Sequence, residues 1–132
     1  MGGFQFTIQK VSDTLIEGAY VGHLGEEDVA VIDQTDRLLG TAPGKVDLVY
    51  DLSQMTGFHR SQVGRHGNLF LGHRDKITGI ALVGVSKPTI RFGAITVATL
   101  ARIALKTFDT RPEAMVWLKT LRPKTNDRSA QR

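Results

Sequence analysis

Between Ile77 and Val85 the chain reads Ile-Thr-Gly-Ile-Ala-Leu-Val-Gly-Val, an apolar run without a single charge. A strand with one wet face alternates apolar and polar side chains. A near-continuous run instead belongs to a strand covered on both faces, as in parallel sheets. The flanking segments fit such a sheet. Phe4 to Gln9 alternates with period two and Leu15 to Val21 is a second strand, with Ser12-Asp13 between them, so the chain opens on a hairpin. Gly25-Glu26-Glu27-Asp28 opens a helix whose acids suit the positive end of the dipole; Val31, Thr35, Leu38 and Leu39 form its face and Gly40 its stop. Val46 to Leu52 reads as an interior strand. His59 to Lys76 reads as a helix with a buried stripe of Val63, Gly67, Phe70 and Leu71.

After the apolar run, a helix is expected over 90–104. Ile95, Thr99 and Ile103 line up on its buried face, and Ala94, Val97, Ala98 and Ala101 on the other. Ordinary burial and a helix contact between subunits are both open for that uncharged segment. Thr107-Phe108 is a short edge strand. Thr110-Arg111-Pro112-Glu113 is a capping box opening a last helix, with Ala114, Trp117, Leu118 and Leu121 on its apolar face. The order β-β-α-β-α-β-α-β-α predicts an α/β domain with a single mixed sheet and right-handed crossovers.

At 132 residues this is one domain, expected over 1–121, with a disordered basic tail over 122–132. Cysteine is absent, which excludes disulfides, thiolate metal sites and a cysteine nucleophile. No apolar run reaches the ~18–20 residues of a membrane span and no signal pattern opens the chain, so a cytoplasmic protein without an integral membrane segment is expected. The net charge of +4 at first suggests nucleic acid. From Lys119 onward, however, five basic residues face one acid, and residues 1–118 hold equal numbers of each sign. The excess is a tail property, and no nucleic-acid partner is expected.

There is no GxGxxG, P-loop, GxSxG or HExxH, so no catalytic residue, metal or cofactor is assigned. His59, His66 and His73 recur every seven residues. On a helix that spacing spans ~10.5 Å, too far for two ligands of one zinc, and a solvated polar stripe is the expectation. Arg60, Arg65, Arg74 and Lys76 interleave with them. That basic face is either plainly solvated or meets an acidic partner or a phosphate. Asp33, Asp36 and Asp51 are read as solvated acids without a catalytic role.

The segment from Val46 to Val63 resembles the central motif of STAS domains, the family of bacterial anti-sigma factor antagonists and of the cytoplasmic parts of sulfate transporters. Asp51-Leu52-Ser53 matches its strand end and Phe58 its apolar position, and Ser61 falls on the second serine, which partner kinases phosphorylate in the antagonist branch. His59 stands where an acid is usual, Arg60 replaces the first serine and Gln62 the glycine. Pro112 to Leu118 is similar to the last helix of the STAS-like branch grouped with CRAL-TRIO lipid-binding proteins. The resemblance implies a non-enzymatic bacterial signalling module that binds a regulatory protein or kinase. Its surface would be the loop after the third strand and the next helix start, through Ser53, Thr56, Phe58, His59, Arg60, Gln62 and Arg65, with Ser61 as the phosphorylation candidate. A phosphate at a helix N-terminus is favoured by the dipole, and Arg60 and Arg65 are placed to pair with it. A homodimer through 92–101 is compatible. The alternative is a carrier of a small apolar ligand or lipid, its pocket lined by the 90–104 helix and Trp117.

Overall fold

The opening segment pairs as expected. β1 (Gln5–Ser12) and β2 (Leu15–Leu24) form an antiparallel hairpin, with the Ser12 hydroxyl accepting the Thr14 N–H at 3.2 Å in the turn. The computed structural model describes residues 3–122, so of the tail expected over 122–132 all but Arg122 lies outside the described residues. α1 (Ala30–Thr41), β3 (Val46–Phe58), α2 (Ser61–Gly72), β4 (Ile77–Val83), α3 (Pro88–Ala101), β5 (Leu105–Phe108) and α4 (Arg111–Leu121) follow. The sheet runs β1-β2-β3-β4-β5, and every pair after the hairpin is parallel. The strands advance in one direction, so right-handed crossovers place α1, α2 and α3 on the same face.

The parallel strands divide their side chains between two cores. Toward α1–α3 point Ile16, Tyr20, Leu48, Tyr50, Ile80 and Leu82, packed with Val31, Leu39, Phe70, Ile90 and Ala101. Toward α4 point Leu15, Val49 and Ala81, packed with Ala114 and Leu118, and Phe108 stacks obliquely on Trp117 at 5.6 Å. β4 is therefore covered twice, which is why its sequence does not alternate. The expected capping box is present: Thr110 accepts from the Glu113 N–H and Glu113 reaches back to the Thr110 N–H. At the other end of α4, Arg122 lies 3.1 Å from Asp47 and donates to the Thr14 carbonyl at 3.1 Å. Arg122 is thus bound to the body.

Four local expectations are corrected. α1 begins at Ala30, because the Asp28 carboxylate accepts the Gly25 N–H at 2.6 Å and holds residues 25–28 as a turn. β3 does not stop at Leu52 but runs to Phe58; its extension stays paired with β2 up to Leu24 and Phe58, through two register shifts. The helix expected over His59 to Lys76 is α2 alone, followed by a 3-10 turn at Arg74–Lys76. α3 is rotated relative to expectation: Ile90, Ala98 and Ala101 are buried and Ala94 and Val97 pack on the core, while Phe92 (74% exposed), Ile95 and Leu100 face outward.

Packing distance explains that rotation. A Cβ at Gly67 of α2 would lie 3.1 Å from Leu100 of α3, and one at Gly93 would collide with the Phe58 ring. Close approach of the Phe58 ring requires glycine at position 93, and Gly67 makes room for Leu100 on the α2 side, which leaves Phe92 and Ile95 outside. The Ala94, Val97, Ala98 and Ala101 face is consequently unavailable for contact between subunits.

Candidate functional site at the start of α2

The β3 extension carries the chain out of the sheet into α2. Asp51 Oδ1 accepts from the Ser53 N–H at 2.9 Å and the Ser53 hydroxyl at 2.7 Å, fixing the point where the extension leaves β4. Ser53 and Thr56 are exposed strand residues, not the loop residues the motif implied. His59 and Arg60 form the two-residue link, and the His59 N–H donates to the Leu24 carbonyl at 2.7 Å.

Ser61, the first residue of α2, sits beside that link. Its hydroxyl is 2.8 Å from His59 Nδ1, and its N–H donates to the same nitrogen at 3.1 Å. Nδ1 is therefore the bare nitrogen and Nε2 carries the ring proton. Nε2 points to Glu26 Oε1 at 3.9 Å. Glu26 was not anticipated, because only the fold brings the β2–α1 loop here. The next N–H groups, of Gln62 and Val63, bond back to the His59 and Arg60 carbonyls at 3.0 and 3.1 Å. Bound charge at Ser61 would thus rely on the dipole and the nearby cations more than on free N–H groups. Arg60 is exposed, whereas Arg65 donates to the Glu26 carbonyl.

Gln62 and Phe58, expected on a contact surface, turn inward instead. Gln62 is 2% exposed, and its amide nitrogen donates to the Gly25 and Asp28 carbonyls at 2.7 and 3.0 Å, tying the β2–α1 loop to α2. Phe58 is half-buried and lines a cavity of about 80 Å³ between α2, α3 and the sheet. Met55, Val63, Ile90, Ala94 and Val97 share its wall. Trp117, expected in such a pocket, lies across the sheet against Phe108.

The three histidines do not form a solvated stripe. His66 lies within α2 and is buried, whereas His59 precedes that helix and His73 follows it. His66 Nδ1 donates to the Gln62 carbonyl at 3.0 Å, which leaves Nε2 to accept from the Tyr20 hydroxyl at 2.9 Å. Burial pushes the His66 pKa down to about 4 and the nearby Arg65 acts in the same sense, against the Gln62 carbonyl bond. The ring is neutral near pH 7. Burial also pushes both tyrosine phenols up, Tyr20 further through Tyr50. The Thr35 hydroxyl acts against the rise at Tyr50, but Thr35 is committed to the Val31 carbonyl at 2.7 Å, and the Tyr50 oxygen has no partner at hydrogen-bonding geometry. Spacing alone hid this cluster; its only sequence signal is that His66 stands four residues before the buried Phe70.

The basic helix face is partly consumed within the fold, while Arg60 and Arg74 stay exposed. Lys76 Nζ donates to the Leu39, Gly40 and Ala42 carbonyls at the end of α1, and His73 Nε2 pairs with Asp36 at 2.8 Å. Cationic capping of a helix C-terminus explains the lysine. Among the described residues no group of three His, Asp or Glu side chains is arranged to hold a metal, and no helix is long and apolar enough to cross a membrane.

Comparison with known proteins bears on what such a site belongs to. A protein of the DUF3478 family with a SpoIIAA-like fold from Shewanella loihica PV-4 superposes with a TM-score of 0.62 at 19% identity, covering 89% of this chain and 95% of that one. The anti-sigma factor antagonist SpoIIAA in its unphosphorylated form also superposes with a TM-score of 0.62, at 17% identity, covering 90% and 100%. At these identities the likeness is one of fold. No curated protein matches the chain. The SpoIIAA-like family model matches residues 15–119, which takes in the sheet from β2 onward, the cavity and the Ser61 site, and the chain therefore belongs to the SpoIIAA-like family with a STAS-like domain.

Proposed function

We propose that this chain is a non-enzymatic cytoplasmic regulatory module that binds a protein partner through the surface around the start of α2, and that phosphorylation of Ser61 switches that binding. The carrying observation is the setting of Ser61: a hydroxyl held 2.8 Å from His59 Nδ1, at the positive end of a twelve-residue helix, next to the exposed Arg60. A phosphate there would gain the helix dipole and Arg60, and would compete with the Glu26 carbonyl for Arg65. It would also stand near the Glu26 carboxylate, so the β2–α1 loop would feel the new charge. The contact surface is the exposed Ser53, Thr56 and Arg60 with the half-buried His59 and Ser61, and Phe58 and Gln62 support it from beneath. The shared fold with an anti-sigma factor antagonist supports this reading.

The test is incubation of the full chain with kinases from its source cell, then intact-mass measurement and peptide mapping. One phosphate on Ser61, absent in Ser61→Ala, is expected, together with a change of about tenfold or more in partner capture on modification. A Ser61→Ala protein that is still modified and captures the same partner equally well would sink the switch.

A second reading, a carrier of a small ligand, is favoured by the apolar cavity behind the site. Native mass spectrometry of freshly purified chain should then show a retained small molecule. Bare protein in every preparation would count against it.

A further inference from the structure

We infer that His59 is a general base that activates the Ser61 hydroxyl for phosphoryl transfer. The inference rests on the phosphorylation reading above for the physiological phosphoryl donor, and it supplies the residue that makes Ser61 reactive.

A serine at a helix start most often accepts an N–H bond as a cap. Ser61 does not. It is the first residue of α2, and the N–H groups of Gln62 and Val63 are spent on the His59 and Arg60 carbonyls. The Ser61 hydroxyl instead meets His59 Nδ1, 2.8 Å away. The Ser61 N–H donates to the same nitrogen at 3.1 Å, so Nδ1 holds no proton and the hydroxyl is the donor. Among the described residues nothing donates to the Ser61 oxygen. Its lone pairs are free to attack while its proton already faces a base, which is the arrangement that hydroxyl nucleophiles need.

The base is fixed from both sides. The His59 N–H donates to the Leu24 carbonyl at 2.7 Å, and Gln62 and Arg65 tie the following loop to α2 through the Gly25, Asp28 and Glu26 carbonyls. That loop brings Glu26 Oε1 to 3.9 Å from His59 Nε2. This is too long for a hydrogen bond to the neutral ring. It is close enough to favour the imidazolium that forms when Nδ1 takes up a proton, as the acid of a catalytic triad does.

In the transfer, Ser61 Oγ attacks the γ-phosphorus of a nucleoside triphosphate presented by a kinase. The new O–P bond forms as the bond from that phosphorus to the nucleoside diphosphate breaks, and the hydroxyl proton passes to His59 Nδ1. The imidazolium then lies against the new phosphate, with the exposed Arg60 beside it. The phosphate stays on Ser61, so each chain reacts once and remains a substrate rather than an enzyme.

The experiment measures labelling of the full chain by diisopropyl fluorophosphate, read by intact mass and peptide mapping. Fluoride is then the leaving group and no kinase takes part. Ser61 should react about 100-fold or more faster than the exposed Ser86. His59→Asn keeps an acceptor for the hydroxyl but cannot take up its proton, and should remove that advantage. Imidazole added to His59→Gly should restore a large part of it. Labelling of Ser61 no faster than of Ser86, a wild-type rate in His59→Asn, or no gain from imidazole in His59→Gly would overturn the inference. Incubation with kinases separates the base from the switch. Equal phosphorylation of Ser61 in wild type and His59→Asn would discard the base and keep the switch. Labelling that depends on His59, without any kinase product on Ser61, would keep the base and discard the switch.

Discussion

The two helices that wall the cavity are held by different chemistry. α2 is tied by directional bonds: Gln62 to the β2–α1 loop, Arg65 to the Glu26 carbonyl, and His66 to Tyr20. α3 has none of these. Its threonines Thr96 and Thr99 bond only to carbonyls of their own helix, and among the described residues no side-chain hydrogen bond joins α3 to another element. α3 is held by shape alone, with Ile90, Ala98 and Ala101 inward, Leu100 against Gly67 of α2, and Phe92 and Ile95 outward. Directional bonds fix position and rotation together. Apolar contact tolerates sliding, so α3 is the wall with freedom to open the cavity, and α2 is the wall that keeps its geometry.

The largest expected effect that separates them is a pH effect on α2. The His66 pKa is about 4 in the folded chain, against about 6.5 unfolded. As pH falls from 6.5 toward 4 the unfolded chain takes up a proton that the folded chain refuses, so stability is lost across that window and levels off below it. The shift corresponds to roughly 3 kcal/mol. Urea unfolding of wild type and His66→Gln at pH 7 and pH 4 should show that much extra pH dependence in the wild type; equal slopes would break the account of α2. Gln62→Ala is expected to cost about 2 kcal/mol, because two loop carbonyls lose their donor, and the same unfolding measurement checks it. On α3 the effects shrink and change sign. Arg102 ends that helix in the left-handed region at φ 59, so Arg102→Gly should raise stability by about 0.5–1 kcal/mol. Phe92→Ser should change it by less than about 0.5 kcal/mol, since Phe92 is already mostly in water. Amide exchange sharpens the comparison further: protection should fall off along α3 before it does along α2, and the reverse order would refute the assignment of the mobile wall.

The same contrast explains what could be read in the sequence. The doubly covered strand, the opening hairpin and the capping box at Thr110 carry their signal locally, and all three are present in the fold. The STAS resemblance located Ser61 at a helix start, where it stands. The faces of α3 were inverted, because helical periodicity assumes that the larger apolar residues are the buried ones, and here the close approach of Phe58 to Gly93 leaves Phe92 and Ile95 outside while Ala98 and Ala101 are buried. The tethers of α2 were invisible for another reason. Gln62 meets Gly25 and Asp28, and His66 meets Tyr20, across more than thirty residues of chain. No local pattern encodes such a pairing, and a histidine every seven residues reads as solvated until a buried tyrosine is placed against one of them.

Arg122 and α4 also have a consequence for synthesis. Among the described residues, the second face of the sheet, with Leu15, Val49 and Ala81, is covered by α4 alone, and Arg122 then locks onto Thr14 and Asp47 near the first turn. A nascent chain that has emerged only through Phe108 has every strand but a bare apolar face. It cannot complete its fold as it leaves the ribosome, and remains open to misassociation or to chaperone capture until the segment from Thr110 to Arg122 follows.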